Sequence, residues 1–293
     1  HINDKAAIPA GLAARNMNKP VVWHVRSSYF PTASRLNARI SARTIRSIAD
    51  HIIVISEDEV DGFENFEPKT TIYNSVDFEK VARAAAMREN TRRALGLQEN
   101  SLLVGQVSTS IGAVRGTWDF LRACGRVNAA LQNPALRFMV VAAIPNRENF
   151  KPNEPHPLDV AWQIAREENI ADQLTFTGFR QDALDLMTAM DVVVVCNRHG
   201  VLGRMPFEAM ACGRPLVATA GHSGQSRVVV DGETALLAPP AEPGSIAAAV
   251  CKLLQQPLLA EKISRQGRLY AWENFDPDKN ACKVEKVYEG LLT

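Results

Sequence analysis

Short apolar segments alternate with longer amphipathic segments along most of the chain. The short segments are rich in β-branched residues, and the longer ones carry apolar positions at helical spacing. The segment Val192–Cys196 is apolar at every position, which is typical of a strand covered by helices on both faces. This alternation predicts βαβ units and therefore an α/β fold with parallel sheets.

Residues 1–77 are predicted to form a partial domain, because they contain only three or four candidate strands, fewer than a complete doubly wound domain has. The chain starts at His1-Ile2-Asn3, which resembles the end of a strand, so we expect further sequence to precede it. The predicted elements are a helix over 5–17, a strand at Val21–Val25, a helix over 33–48, a strand at Ile52–Ile55, a short helix from Glu57 and a strand at Thr71–Tyr73.

Residues 78–275 are predicted to form a fuller second domain, which begins with a polar, helix-prone stretch over 78–97. A last helix within 276–293 is expected to return toward the first domain. The predicted strands are Leu102–Val107, Arg137–Ala142, Leu174–Thr177, Val192–Cys196, Leu216–Thr219 and Ala235–Leu237, and the predicted helices cover 116–131, 157–168, 181–190, 205–212, 243–255, 259–273 and 278–291.

Composition and charge exclude several classes of protein. With 33 basic and 32 acidic residues the net charge is +1, whereas a dedicated nucleic-acid binder has a basic excess, so we expect no nucleic-acid partner. The apolar runs are far shorter than the ~20 residues that a membrane-spanning helix needs. The five cysteines lack metal-ligand or redox spacing, which predicts small buried residues in a reducing compartment.

Two loops that follow predicted strands have features that suit a bound phosphate. The loop over 108–116 is rich in small residues, ends at Arg115-Gly116 and leads into a helix, whose first N–H groups attract anions. The loop over 197–206 again combines glycines and arginines, and Glu208 follows in the first turn of the next helix. A ribose is a suitable partner for that carboxylate. Alternatively, these are ordinary βα loops, and the helix dipole alone stabilises Glu208.

The segment Glu208–Thr219, together with Leu174–Arg180 and Ile72–Asp77, resembles the family-4 (group 1) glycosyltransferases, and this resemblance extends in order along nearly the whole chain. It implies two Rossmann-like doubly wound domains (the GT-B type), of which the N-terminal one is incomplete here. It also implies transfer of a sugar from a nucleoside diphosphate donor, with retention of configuration and without a metal or other cofactor.

The resemblance also assigns roles by position. Glu208 would hold the ribose hydroxyls, and Arg115 would bind the diphosphate in place of the family's usual Lys before Gly. His24 resembles a histidine at the sugar and acceptor end of the cleft, although it also fits a histidine that ends a buried strand. The candidate catalytic residues are His24 and Arg115, and the candidate donor-binding residues are Arg115, Gly178, Phe179, Arg180, Gly200, Leu202, Gly203, Arg204 and Glu208.

Three departures from the family pattern concern the sugar rather than the nucleotide. Gly200 stands where the family has the first of two glutamates, Arg227 stands where a Glu is common, and the residues Ser108–Ser110 include no counterpart of the usual Arg. Two other functions therefore stay open: a nucleotide-binding homologue that has lost transfer, and a sugar-nucleotide epimerase or hydrolase of the same architecture.

The expected partners are a nucleotide sugar, with UDP or GDP as its nucleotide, and a saccharide or lipid-linked acceptor. By resemblance, the protein is expected to work in polysaccharide or glycolipid synthesis, in the cytoplasm or in peripheral contact with the inner face of the membrane.

Overall fold

Two parallel sheets, one in each of two units, form the framework of the chain. The computed structural model describes residues 1–3, 5–26, 35–55, 63, 65–151, 153–198, 203–219 and 228–292. One unit consists of His1–Val76 and Asn274–Thr293, and the other of Asp77–Glu273.

The described helices are α1 (Ile8–Asn16), α2 (Arg35–Ile48), α3 (Phe78–Ala86), α4 (Arg88–Ala94), α5 (Thr117–Leu131), α6 (Pro157–Glu167), α7 (Ala183–Ala189), α8 (Met205–Ala211), α9 (Pro243–Gln255), α10 (Pro257–Asn274) and α11 (Pro277–Leu292). The described strands are β1 (Val22–Val25), β2 (His51–Val54), β3 (Lys69–Thr71), β4 (Leu102–Ser110), β5 (Leu136–Ala143), β6 (Leu174–Gly178), β7 (Val192–Val195), β8 (Leu216–Thr219) and β9 (Leu236–Ala238).

In the first unit β1, β2 and β3 pair in parallel in that order, and Ile2 adds a single bridge to Trp23 of β1. Trp23 and Ile52 are completely buried between this sheet and its helices. Helix α11 comes from the far end of the sequence, and its residue Val287 packs against the strands. The side-chain amide of Asn280 in the same helix donates to the carbonyl of Tyr73 at 3.0 Å. The end of the chain is therefore part of the first unit.

The second unit has six parallel strands in the order β6-β5-β4-β7-β8-β9. In chain order this is 3-2-1-4-5-6, the arrangement of a complete doubly wound nucleotide-binding sheet. Strand β7 is buried at all four positions, as its uninterrupted apolar sequence predicts. The strand order reverses between β4 and β7, and ligands of such sheets bind beyond the carboxyl ends of the strands at that place.

Most predicted strands and helices are found within one to three residues of their expected ends, and the differences have local causes. The third strand is Lys69–Thr71 rather than Thr71–Tyr73, because its neighbour β2 ends at Val54 and offers Ile72 only one further hydrogen bond, of 2.9 Å. The stretch 78–97 forms two helices, the first of which Asp77 caps by accepting from the Lys80 N–H at 3.0 Å. The short helix expected from Glu57 lies outside the described residues.

All five cysteines are free. Cys124, Cys196 and Cys212 are buried, as expected, but Cys282 is exposed, so the expectation of burial is wrong for that residue. Cys282 lies on α11, where the apolar contacts with the sheet are made by other helix positions. In the part of the chain that the structure describes, no helix is long and apolar enough to cross a membrane.

Candidate functional site

The two loops that the sequence singled out leave the sheet side by side. Strands β4 and β7 are parallel neighbours, so the segments that follow them meet at the carboxyl edge. Gly116 caps α5 with a φ of +69°, and a Cβ atom at this position would lie 2.5 Å from Cβ of Cys196. Only glycine satisfies both the left-handed backbone and this close approach, which brings the two loops into contact.

A partly buried ion pair also joins the loop after β7 to helix α5. Arg198 donates from Nε and Nη2 to both carboxylate oxygens of Asp119, at 2.7 Å each, and its backbone N–H donates to the carbonyl of Val114 at 3.3 Å. The Asp119 side chain is only 4% exposed. Arg198 therefore holds the loop after β7 against helix α5, and Asp119 occupies two of its three guanidinium nitrogens. The sequence alone did not reveal Asp119 as its partner.

A cavity of about 220 Å³ opens at this edge of the sheet. Its wall includes three predicted donor-binding residues, Phe179, Arg180 and Glu208. Ser108 and Thr109 line it as well; the sequence placed them in the loop after the strand, but they belong to the end of β4, which extends to Ser110. The end of β4 and the segments that follow β6 and β7 thus supply two hydroxyls, an aromatic ring and a carboxylate to one place, as expected for a ligand site of a doubly wound sheet.

Glu208 lies in the first turn of α8, with its side chain 17% exposed. Burial raises the pKa of this carboxyl, and the Arg204 guanidinium, 3.0 Å away, partly opposes the effect. Hydrogen-bond donors on a ligand would stabilise the ionised form of this partly desolvated carboxylate, and two neighbouring hydroxyl groups could supply them.

Phe179 and Arg180 form the other wall of the cavity. Gly178 ends β6 with a φ of +73°, after which the Phe179 ring is 73% exposed. Arg180 is held by Asp182 through bonds of 2.7 and 2.5 Å, and this pairing raises the pKa of Arg180 and lowers that of Asp182. An exposed aromatic ring beside an anchored guanidinium suits stacking with a planar base.

The other predicted residues are less closely grouped. Arg115 is half-buried and does not line the cavity, and the carbonyl of Arg115 accepts from the Gln106 side-chain amide at 3.0 Å. Gly203, with a φ of +59°, precedes α8, and Arg204 reaches the cavity only through its contact with Glu208. Gly200, Leu202, His199 and the loop that contains Arg227 lie outside the described residues.

His24 is the third of the four residues of β1, in the first unit. His24 Nδ1 lies 3.2 Å from Nε2 of His1, whose Nδ1 is 2.5 Å from the Tyr288 hydroxyl; the sequence analysis identified neither His1 nor Tyr288. His24 Nε2 is buried and has no hydrogen-bond partner among the described residues. Burial, and secondarily Arg26, lowers the pKa of His24 from 6.5 to about 4, so the ring is neutral at physiological pH. Within the described chain, no three His, Cys, Asp or Glu side chains group as metal ligands would.

Comparison with known proteins identifies the family of the chain. A family model described as "Glycosyl transferases group 1" matches residues 98–256. D-inositol 3-phosphate glycosyltransferase from Corynebacterium urealyticum is 26% identical over 267 residues, which are 87% of this chain and 60% of that protein. The chain therefore spans less than two thirds of the length of this relative.

Solved structures share the fold. The Anabaena protein HepE in complex with UDP-glucose superposes with a TM-score of 0.83 at 21% identity, over 98% of this chain and 77% of that one. The C-terminal domain of a group 1 glycosyl transferase from Francisella tularensis has a TM-score of 0.55 at 21% identity, over 65% of this chain and 93% of that one. The predicted GT-B type of α/β fold is confirmed. Because the family match covers more than half of its residues, the chain belongs to the group 1 glycosyl transferases.

Proposed function

We propose that the second unit binds a nucleoside diphosphate sugar, and that the protein transfers the sugar to a hydroxyl group of a saccharide or lipid-linked acceptor. The observation that carries this proposal is the cavity at the switch between β4 and β7, where Phe179, Arg180 and Glu208 meet the hydroxyls of Ser108 and Thr109. The base would lie against Phe179 and Arg180, and the ribose hydroxyls would donate to Glu208.

The diphosphate would then extend toward the first turn of α5. Gly116 begins this helix of 15 residues, whose free N–H groups favour an anion. Arg115 precedes it, and its guanidinium has no ion pair among the described residues. Arg204 and Gly203 would approach the phosphates and sugar from the loop before α8, together with Leu202 and Gly200. The resulting positive charge would stabilise the leaving diphosphate without a metal or another cofactor.

For the chemical step we propose retention of configuration. The bond from the sugar to the diphosphate breaks with oxocarbenium character, and the acceptor hydroxyl attacks from the face that the diphosphate leaves. A neutral His24 offers a ring nitrogen to a substrate hydroxyl, since burial disfavours the imidazolium form. Gly200 in place of an acid is the specific feature that favours the second candidate, a homologue that binds the nucleotide without transferring the sugar.

Calorimetric titration with UDP, GDP and ADP tests the nucleotide site directly. UDP comes first, because HepE was solved with UDP-glucose. We expect Glu208→Gln to weaken nucleotide binding by about ten- to a hundredfold, since a charge-assisted hydrogen bond contributes about 1.5–3 kcal/mol. The matched control is Glu99→Gln, which alters an exposed carboxylate in a turn and is expected to leave affinity unchanged.

The thermal stability of Glu208→Gln shows whether weaker nucleotide binding comes from the lost carboxylate or from misfolding. Because the folded chain raises the pKa of Glu208, the stabilisation linked to its neutral form is present at low pH and lost as pH rises through the folded pKa. At pH 7 the variant should therefore melt no lower than the parent chain, with the difference shrinking in acid. If none of the three nucleotides binds at millimolar concentration, the proposed function is wrong. Binding without consumption of donor by the full-length protein would establish the second candidate instead.

A further inference from the structure

A second, larger cavity of about 660 Å³ lies in the same unit, near the opposite edge of the sheet. Arg214, which lines it, immediately precedes β8, and Cys212, which also lines it, follows the last turn of α8. Glu208 lies at the other end of that helix. Nothing in the proposed function uses this cavity, which is formed mainly between α10 and the segments around α3, α7 and α8.

Positive charge dominates the wall of this cavity. Four arginines, Arg88, Arg214, Arg265 and Arg268, line it, and Glu261 is the single carboxylate among its lining residues. These residues come from three separate segments of the chain, so the cluster exists only in the folded protein.

Neighbouring acidic groups neutralise only part of the cluster, since Arg88 pairs with Glu89 at 3.1 Å as well as with Asp191. Asp191 is already shared by Arg88 at 2.9 Å, by Arg92 at 3.1 Å and by the backbone N–H of Leu103 at 2.8 Å. Within the described residues Arg265 and Arg268 take part in no ion pair, although the structure shows nine such pairs elsewhere.

One buried donor of the cluster also lacks an acceptor. The Nε of Arg88 is buried without a hydrogen-bond partner among the described residues. Arg214 donates from Nε to the carbonyl of Gly213 at 3.0 Å. Burial and the nearby charges of Arg88 and Arg268 lower the pKa of Arg214, so the fold holds these cations together at an electrostatic cost. An anion in the cavity would offset that cost.

We propose that this arginine cavity binds the phosphate group of a ligand. Planar guanidinium groups pair with two phosphate oxygens at once, and four of them around one cavity match a doubly charged oxyanion better than a monoanionic carboxylate. At the rim, Leu269 is 60% exposed and Trp272 is 50% exposed. Trp272 is supported by Phe78, with ring centroids 4.7 Å apart. These side chains provide an apolar surface for the part of the ligand that carries the phosphate.

The phosphate could belong to a soluble metabolite or to a lipid headgroup, and two probes distinguish these sources. One is inorganic phosphate, titrated calorimetrically in the presence of saturating UDP. The other is a vesicle of phosphatidylcholine with and without phosphatidic acid, assayed by co-sedimentation. Binding of phosphate indicates a soluble ligand, whereas binding only to vesicles that contain phosphatidic acid indicates a lipid. Either result supports a phosphate site if the variants below abolish it.

The double variant Arg265→Gln/Arg268→Gln removes two exposed arginines and is not expected to disturb folding. We expect it to weaken binding of the responding probe at least about tenfold, since it removes two charge-assisted contacts. Arg166→Gln, at an exposed arginine of α6 outside the cavity, is the matched control and should have no effect. The parent chain, the double variant and Arg166→Gln should have the same affinity for UDP. A failure of the phosphate proposal can therefore be told apart from a failure of the nucleotide site. Unchanged binding in the double variant, or no binding of either probe to the parent chain at millimolar phosphate, would overturn the proposal.

Discussion

Gly116 shows how one residue sets the geometry of the candidate site. Its left-handed backbone begins α5, and the missing side chain leaves room for Cys196. We expect Gly116→Ala to lower the free energy of unfolding by about 2–5 kcal/mol, the sum of about 1–2 kcal/mol for backbone strain and about 1–3 kcal/mol for overpacking. Gly96→Ala is the matched control, because Gly96 has a φ of +70° but no heavy atom within 4 Å of the added Cβ.

At Gly96 the alanine should add only backbone strain, which lowers the free energy of unfolding by about 1–2 kcal/mol. Urea denaturation of both variants measures the difference. Equal losses would show that the contact with Cys196 does not constrain the loops.

His24 provides a second test at the scale of the residue. Its pKa lies at about 4 when folded and near 6.5 when unfolded, because burial and Arg26 disfavour the imidazolium. Between these values the unfolded chain takes up a proton that the folded chain does not. The stability linked to neutral His24 is therefore present above pH 6.5 and lost as pH falls toward 4.

We expect an NMR titration of the His24 ring, assigned through His24→Asn, to show a midpoint near 4. His24→Asn should also lose less stability than the parent chain between neutral pH and pH 4. An ordinary midpoint of 6.5 would contradict the burial of this ring as the structure shows it.

At the scale of elements, the Asp119–Arg198 pair joins the loop after β7 to helix α5 and so helps to place the loops that surround the candidate site. Removal of one side chain of this pair leaves the charge of the other without its partner in a partly buried position, which destabilises the fold. We expect Asp119→Asn to cost about 2 kcal/mol of stability, below the value for a fully buried pair because the Arg198 side chain is 37% exposed. A double-mutant cycle with Arg198→Gln should give a coupling of about 1 kcal/mol or more.

Arg147 and Asp159 form the matched control for that cycle. They make the same two-point contact, at 2.6 Å for each bond, but their side chains are 64% and 54% exposed. Solvent screens this pair, so its coupling should be indistinguishable from zero. Equal coupling in the two pairs would mean that burial does not strengthen the contact near the site.

At the scale of the whole molecule, the division into two units predicts that residues 77–273 fold by themselves. Their core is closed within the unit, with Phe120, Phe138 and Ile246 among its completely or nearly completely buried members. The Francisella tularensis C-terminal domain has a similar fold over 65% of this chain. We expect the fragment to melt in one cooperative transition by circular dichroism and to bind UDP with an affinity within about threefold of the whole chain.

A fragment over 77–256, which keeps α3 and α4 but ends before α10, is the comparison. It lacks Ile263, a completely buried member of the same core, and should be much less stable. If the two fragments melt alike, helix α10 is not part of the folding unit.

The sequence alone determined the second sheet and the place of the candidate site. Both follow from local signals: uninterrupted apolar strands, glycines before helices, and Glu208 in the first turn of α8, each of which depends on neighbouring residues. The roles assigned to the site residues all stay predictions, those of His24, Arg115 and Glu208 included, and Gly200 and Leu202 lie outside the described residues.

Only the tertiary structure decided which distant residues meet. Arg198 lies in a loop whose sequence suits a bound phosphate, yet it pairs with Asp119, 79 positions away. Helix α11 belongs to the first unit through Val287, and the arginine cavity gathers Arg88, Arg214 and Arg268. Such contacts depend on the packing of elements far apart in the chain, for which local periodicity carries no signal.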